Sequence, residues 1–278
     1  MINIGFMQGR LSDMVDGRIQ SFPFSSWKEE FVIAHANNFN IIEWTIDSID
    51  IKNNPILNSN MHPEIKRLKE KYLINIPSIT CDFFMEKPFF KVNNYERIAR
   101  EKFLLSFFKK CSELNITFIV IPLVDHSGIE NATQEKKVIN FFLENTSLIE
   151  KYNLQIIFES NYPPQKLKNF ISKFPINQFG INYDTGNSAS LGYNHEEEFN
   201  AYFQYIKNVH IKDRVLGGTT VPLGEGSANL GGILIDLVNR NYIGNLILQT
   251  ARHKKRHLEV LCNYRDFVLN RINQNEKK

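Results

Sequence analysis

The chain has 278 residues, of which 42% are hydrophobic and 23% are charged, and its formal net charge at pH 7 is +3. This length and composition allow one large core to be buried. The small net charge and the lack of a long basic run argue against a nucleic-acid-binding or membrane-surface protein. The three cysteines include no Cys-x-x-Cys pair, which argues against a disulfide framework and against a zinc-thiolate site.

We expect a cytoplasmic protein. The residues after Met1 enter an apolar run directly, without the basic segment of a signal peptide, and no apolar run approaches the roughly 18 residues of a membrane span. The cysteine usage is that of a reducing compartment.

Short apolar runs predict strands that alternate with segments of helical periodicity. The predicted strands are residues 2–7, 41–44, 74–79, 117–121, 155–158, 179–183, 208–211 and 246–248. The predicted helices are residues 26–35, 62–72, 95–114, 134–152, 165–174, 196–205, 230–239 and 258–272. Ser26 and Glu29 form a capping-box pattern at the start of the first helix.

Eight strand-then-helix units, with strands that are apolar on both faces, predict a parallel sheet covered by helices. Eight is also the number of strands that closes a barrel, and a barrel of about 250 residues fits this length. No linker or low-complexity segment divides the chain. We therefore expect an α/β protein, a single (β/α)8 TIM-barrel domain over residues 1–278.

Polar residues end the last four predicted strands. Glu159, Asp184 and His210 are 25 and 26 residues apart, and Gln249 ends the fourth of these strands. In a barrel, residues at the carboxyl ends of the strands face the active-site mouth. Two carboxylates and an imidazole suit Mn²⁺, Mg²⁺, Co²⁺ or Zn²⁺ rather than soft metals. Each of these residues alone is more typical of a helix cap or a core residue, but three in succession favour a metal or catalytic centre.

The sequence resembles the xylose isomerase-like TIM barrels, the sugar and sugar-phosphate isomerase/epimerase superfamily. The resemblance rests on residues 158–160, 183–187 and 209–214, and it spans nearly the whole chain in strand order. It implies that Glu159, Asp184, His210 and the strand 8 residue Gln249 bind one divalent ion. It also implies that the residues at the ends of strands 5 and 8 exchange protons with the sugar.

Two positions depart from the family pattern. Gln249 stands where relatives have a glutamate; its amide oxygen can bind a metal, but it removes one negative charge and cannot accept a proton. We therefore expect the metal to bind weakly. Asn187 stands where many relatives have a substrate-binding histidine, and we expect it to contact substrate.

Glu159 is then the expected base, and Glu43 at the end of strand 2 is our candidate for a second one. Lys212 is expected to hold the enediolate oxygen or a substrate anion. The expected substrate-binding residues are Arg10, Asn187, Asp213, Arg214 and Glu225, with Asp213 also placed to orient Lys212. The loop 217–220 offers backbone amides of the kind that bind phosphate in many barrels.

The predicted function is a divalent-metal-dependent isomerase or epimerase of a sugar or sugar phosphate, acting by proton transfer through a metal-stabilised enediolate. A sugar-derived dehydratase or an AP endonuclease-like enzyme on the same barrel is an alternative, although the near-neutral charge and seven histidines count against a nuclease. A non-catalytic sugar-binding descendant is a third reading, favoured by Gln249 and Asn187. No nucleic-acid or membrane partner is expected, and the sequence leaves a homo-oligomer open.

Overall fold

The structure, a computed structural model, describes residues 2–273. Met1 and residues 274–278 of the predicted domain lie outside the described residues. Eight parallel strands form a closed barrel in the order β1-β8-β7-β6-β5-β4-β3-β2, which confirms the predicted (β/α)8 barrel. The strands are β1 Asn3–Met7, β2 Ile42–Thr45, β3 Ser78–Thr80, β4 Phe118–Leu123, β5 Gln155–Ser160, β6 Phe179–Asp184, β7 Ile206–Ile211 and β8 Asn245–Leu248.

The helices surround this barrel. They are α1 Trp27–Ala36, α2 His62–Tyr72, α3 Asp82–Glu86, α4 Asn94–Glu113, α5 Ala132–Glu144, α6 Thr146–Lys151, α7 Pro164–Ile171, α8 Thr185–Leu191, α9 His195–Tyr202, α10 Leu230–Asn239 and α11 His257–Asn273. Among the described residues, no helix has both the length and the apolarity needed to cross a membrane.

Three local features differ from the expectation. The helix predicted over 134–152 is divided at Asn145 into α5 and α6, and the short helices α3 and α8 were not predicted. The strand predicted over 74–79 is reduced to β3, which begins after Pro77. Proline cannot donate to a ladder, so it lies outside the paired residues.

Strand pairing aligns the residues that matter for the site. Phe6 pairs with Leu248 and closes the barrel between its first and last strands. Asp184 pairs with His210 across β6 and β7. Because adjacent parallel strands end at similar heights, the polar residues at their carboxyl ends come together at one end of the barrel, which we call the mouth.

Aromatic side chains fill the layer between β5, β6 and the helices outside them. The ring of Phe158 lies 5.1 Å from that of Phe142 and 5.3 Å from that of Phe170, measured between centroids. Phe174 and Phe179 approach to 4.8 Å. Such aromatic pairs each contribute about 0.5–1.5 kcal/mol beyond the burial of their area, so the strands that carry the candidate ligands are firmly supported.

The start of α1 is held differently from the predicted capping box. Ser26 has ψ near 7° and makes no side-chain cap hydrogen bond, because a hydroxyl reaches the free amides of the first turn only from an extended cap residue. The buried carboxylate of α1 is Glu30, which accepts hydrogen bonds from the backbone N–H groups of Gly9 and Leu11. It thereby ties the loop after β1 to α1.

We predict that Glu30 makes the stability of the fold depend on pH. Burial raises the pKa of Glu30 from 4.5 to about 7, despite the hydrogen bonds from Gly9 and Leu11 that lower it. The folded state therefore favours the protonated acid, and this contribution is fully present below pH 4.5 and is lost as the pH rises through about 7. The free energy of unfolding should fall by about 3 kcal/mol over this range from this group alone.

The test is urea unfolding between about pH 5 and pH 8 for the wild type and for Glu30→Gln, in which the slope should be reduced. Glu29→Gln, an exposed neighbour on the same helix, is the matched control and should keep the wild-type slope. An unchanged slope in Glu30→Gln would contradict the assignment.

Candidate metal centre and active site

Three side chains at the ends of adjacent strands form one cluster. Glu159 on β5, Asp184 on β6 and His210 on β7 each offer a ligand atom, and these atoms lie within 4.8 Å of one another. All three residues are buried. Two carboxylates and one imidazole at this separation are a donor set that fits a divalent ion.

The imidazole of His210 lies between two carboxylates. Its Nε2 is 2.7 Å from Oε1 of Glu43, and its Nδ1 is 3.3 Å from Oε2 of Glu159. Burial by itself would lower the pKa of His210, but the charges and hydrogen bonds of Glu43 and Glu159 raise it to about 10. The two acids therefore favour the protonated form of the ring, whose Nδ1 also lies 3.0 Å from Nδ2 of Asn182.

The contact with Glu43 is the arrangement that proteins use to orient a metal-binding histidine. A carboxylate that accepts a hydrogen bond from one ring nitrogen fixes the orientation of the ring and directs the other nitrogen to the metal. Here the directed atom is Nδ1, which faces Glu159 and lies 4.0 Å from Oδ2 of Asp184.

Glu159 is held by two asparagine side chains. Nδ2 of Asn182 donates to its Oε2 at 2.8 Å, and Nδ2 of Asn187 donates to its Oε1 at 2.6 Å. Burial alone would raise the pKa of Glu159, but the hydrogen bond with His210, together with the charges of His210 and Lys212, holds it below its usual range. This direction favours the ionised carboxylate, which is the form that can accept a proton.

Glu43 lies deeper than expected. We expected it at the mouth, but it is the second residue of β2 and is fully buried. Both of its carboxylate oxygens have partners within the protein. Oε2 accepts hydrogen bonds from Ser78 at 2.6 Å and from Asn208 at 2.9 Å. The prediction that Glu43 faces the mouth is therefore corrected, since its carboxylate lies inside the barrel beneath the cluster.

A layer of polar side chains lies inside the barrel, and it was not predicted from the sequence. Besides Glu43 and Ser78 it contains Asn182 and Asn208, and Nδ2 of Asn208 donates to Oδ1 of Asn182 at 2.8 Å. A signal was available, because Asn182 and Asn208 each stand two residues before a candidate ligand. Residues two apart on a strand point to the same side, so these polar residues in apolar strands share the interior with Asp184 and His210.

Gln249 contacts the cluster through Lys212. The amide oxygen of Gln249 lies 3.3 Å from Nζ of Lys212, which also donates to Oδ2 of Asp184 at 3.2 Å. The structure thus brings both residues to the mouth, with an ammonium beside the oxygens of Asp184 and Gln249.

Asp213 and Arg214 shape the loop after β7. The buried carboxylate of Asp213 accepts hydrogen bonds from the backbone N–H groups of Gly224, Gly226 and Ala228, so it organises the loop and does not orient Lys212 as expected. Arg214 donates to the carbonyl of Gly218 and to Oδ1 of Asn187, the latter at 2.8 Å. Glu225 is exposed on the same loop.

The amides of the loop 217–220 are partly in use. Gly217 donates its N–H to the carbonyl of Ser190 at 2.8 Å, and Gly218 donates to the carbonyl of Val215 at 2.9 Å. Two of the backbone donors expected for a phosphate are therefore bound within the protein.

Arg10 is buried at the mouth beside β8. Its Nε donates to the carbonyl of Thr250 at 3.1 Å, and its Nη1 donates to the carbonyl of Ile19 and to the side chain of Gln20, both at 2.9 Å. These bonds tie the loop after β1 to the chain that follows β8, so the guanidinium supports the rim of the mouth.

Asp82 adds a carboxyl group at the start of α3, just after β3. Burial, followed by the charges of Glu159 and Asp47, raises its pKa to about 7. Asp82 is half-buried and lies two residues past the end of β3.

A cavity opens at the mouth. Its volume is about 250 Å³, and its walls come from the segments that follow β4, β5, β6 and β7. It is lined by Val124, Asp125, Asn161, Asn187, Ser190, Leu191, Arg214 and Gly217. Asn187 lines this cavity and also contacts Glu159, so the cavity adjoins the cluster.

Comparison with solved structures finds the same fold. A xylose isomerase domain protein from Planctomyces limnophilus superposes with a TM-score of 0.76 at 12% identity, covering 99% of both chains. D-psicose 3-epimerase from Clostridium cellulolyticum H10, solved with D-tagatose, has a TM-score of 0.74 at 13% identity, covering 98% of this chain and 99% of that one. The IOLI protein, solved with a bound zinc atom, has a TM-score of 0.73 at 15% identity and 99% coverage of both chains.

No curated protein matches the chain in sequence. The sequence profile of the xylose isomerase-like TIM barrel family matches residues 31–265, which is most of the chain. The resemblance stated from residues 158–160, 183–187 and 209–214 is thereby confirmed, and the chain belongs to the xylose isomerase-like TIM barrel family.

Proposed function

We propose that this protein is a divalent-metal-dependent enzyme that isomerises or epimerises a sugar or sugar phosphate by proton transfer. The observation that carries the proposal is the cluster of Glu159, Asp184 and His210 within 4.8 Å, with Glu43 holding the far nitrogen of His210. The similarity in fold to D-psicose 3-epimerase supports a sugar as the substrate.

Glu159, Asp184 and His210 would hold the ion, and Gln249 would add a neutral amide oxygen. When bound, a divalent ion polarises the carbonyl of the substrate and lowers the cost of removing the neighbouring proton. Glu43 is a positioning residue in this scheme. It holds Nε2 of His210, and its burial keeps it away from substrate.

Glu159 would take the proton from the carbon that bears the hydroxyl next to the carbonyl. Its ionised form is favoured, and it contacts Asn187, which lines the cavity. Gln249 cannot return the proton, since an amide does not titrate. Asp82, two residues past the end of β3, is the candidate for the second group. Burial raises the pKa of its carboxyl to about 7, and such a group can both give and accept protons at neutral pH.

The cavity supports a polar substrate of modest size. Asp125, Asn161 and Ser190 add polar side chains to its walls, and sugar hydroxyls require such partners. The bonds already made by the amides of Gly217 and Gly218 favour a free sugar over a sugar phosphate at that loop.

We predict that Glu159→Gln abolishes the exchange of substrate protons with solvent while leaving the fold intact, because the amide cannot accept a proton. The measurement is incorporation of deuterium into a panel of ketoses, aldoses and sugar phosphates in D₂O with Mn²⁺, followed by NMR. Glu197→Gln, which alters an exposed glutamate on α9, is the control and should exchange at the wild-type rate.

Exchange that persists in Glu159→Gln would remove Glu159 from the mechanism. A wild-type protein that leaves the whole panel unchanged, with and without Mn²⁺, would refute the proposed activity and favour a sugar-binding protein.

We further predict that Glu43→Gln lowers the affinity for Mn²⁺ by about 10- to 100-fold, because it weakens the hydrogen bond that orients His210. Calorimetric titration with Mn²⁺ measures the affinity, and circular dichroism checks that the fold is retained. Glu113→Gln is the matched control, since Glu113 contacts His62 in a pair outside the cluster. Equal affinities in all three proteins would exclude a positioning role for Glu43.

A further inference from the structure

Three side-chain oxygens surround the ammonium of Lys212. Nζ lies 3.2 Å from Oδ2 of Asp184, 3.3 Å from Oε1 of Gln249 and 3.4 Å from Oδ1 of Asn187. Two of these oxygens belong to residues that would bind the ion. The Lys212 ammonium therefore lies against oxygens that a bound metal ion would also need.

The two oxygens of Asp184 have different partners. Oδ1 accepts the backbone N–H of Asn187 at 2.8 Å and caps α8, whereas Oδ2 lies against Lys212 and is the less restricted oxygen for a cation. An ion bound at about 2.1 Å from Oδ2 would stand no more than about 5 Å from an ammonium that still contacted the same oxygen. At that distance in a partly dry site, the repulsion between the two cations is large.

The stem of Lys212 is built into the structure. The hydroxyl of Thr185 bonds to both the backbone N–H and the carbonyl of Lys212. A Cβ at Gly186 would lie 2.7 Å from Cγ of Lys212, so the missing side chain of Gly186 makes room for the stem. The ammonium is thus delivered to Asp184 by specific packing, and only 16% of the side chain is exposed.

The charges around Gln249 agree with the position of the Lys212 ammonium among the candidate ligands. His210 lies against Glu159, and the ammonium of Lys212 lies against Asp184, so Asp184 already has a cation beside its Oδ2. A glutamate at position 249 would leave an additional negative charge in need of a metal, whereas the neutral Gln249 needs only the hydrogen bond from Lys212.

We propose that Lys212 is an internal counter-cation that competes with the divalent ion for Oδ2 of Asp184 and Oε1 of Gln249. This inference rests on the metal centre of the proposed function. The Lys212 side chain would have to leave these oxygens for Asp184 and Gln249 to hold an ion. The competition makes binding weak, and a displaced Lys212 points its ammonium to the mouth, where an anionic oxygen of the substrate is its next partner.

The test measures Mn²⁺ affinity by calorimetry and by the loss of the EPR signal of free Mn²⁺, with no substrate present. Lys212→Met should bind Mn²⁺ more tightly than the wild type by more than about tenfold, because the repelling charge is removed. Lys212→Gln, which keeps a hydrogen-bond donor without the charge, should show the same direction and serves if the methionine variant does not fold. Lys109→Met, in which an exposed lysine on α4 is lost, should bind as the wild type does.

The outcomes separate this inference from the proposed function. Equal or weaker binding in both Lys212 variants, with binding abolished by Asp184→Asn, would overturn the competition while leaving the metal centre in place. Absence of Mn²⁺ binding in the wild type and in every variant would overturn both. Tighter binding in the Lys212 variants that is lost again on adding Asp184→Asn supports the inference.

Discussion

The buried imidazole of His210 between the carboxylates of Glu43 and Glu159 is the interaction on which the interior of the barrel depends. A charged ring that is removed from water is tolerated only where its partners are close and where the remaining lone pairs of those partners are satisfied. Ser78, Asn182 and Asn208 meet this need. The polar layer therefore exists because of the histidine, and it aims Nδ1 at the two other candidate ligands.

The barrel was predictable because its strands are apolar on both faces and its helices carry continuous apolar stripes, and these signals depend on local sequence alone. Predicting that Glu159, Asp184 and His210 converge required only the strand order. The depth of Glu43 was not predictable, since it depends on where β2 ends and on its stagger against β1. The role of Asp213 depends on loop amides that sequence patterns do not place.

The electrostatics of the mouth also lay beyond the sequence, although every residue involved was visible in it. Gln249 reads as a lost ligand when it is considered alone. Beside Lys212, however, its neutral amide oxygen contacts an ammonium that also lies against Asp184. This ammonium supplies positive charge that a metal ion would otherwise supply. Similarly, Asp82 resembles an ordinary helix-start residue in the sequence, and only its surroundings in the fold show that burial raises the pKa of its carboxyl. Family membership thus identifies the ligand positions, but it does not show the charges that surround them.

The close approach of Lys212 to Gly186 links the evolution of two positions that are distant in sequence. A side chain at 186 would overlap Cβ, Cγ and Cδ of Lys212, so position 186 can enlarge only if position 212 shortens or its stem turns away. Relatives with a bulkier residue after the Asp-Thr pair are then expected to lack a long cation at the second position after the histidine. The two positions should covary, and their joint identity would sort barrels with an inbuilt cation from barrels without one.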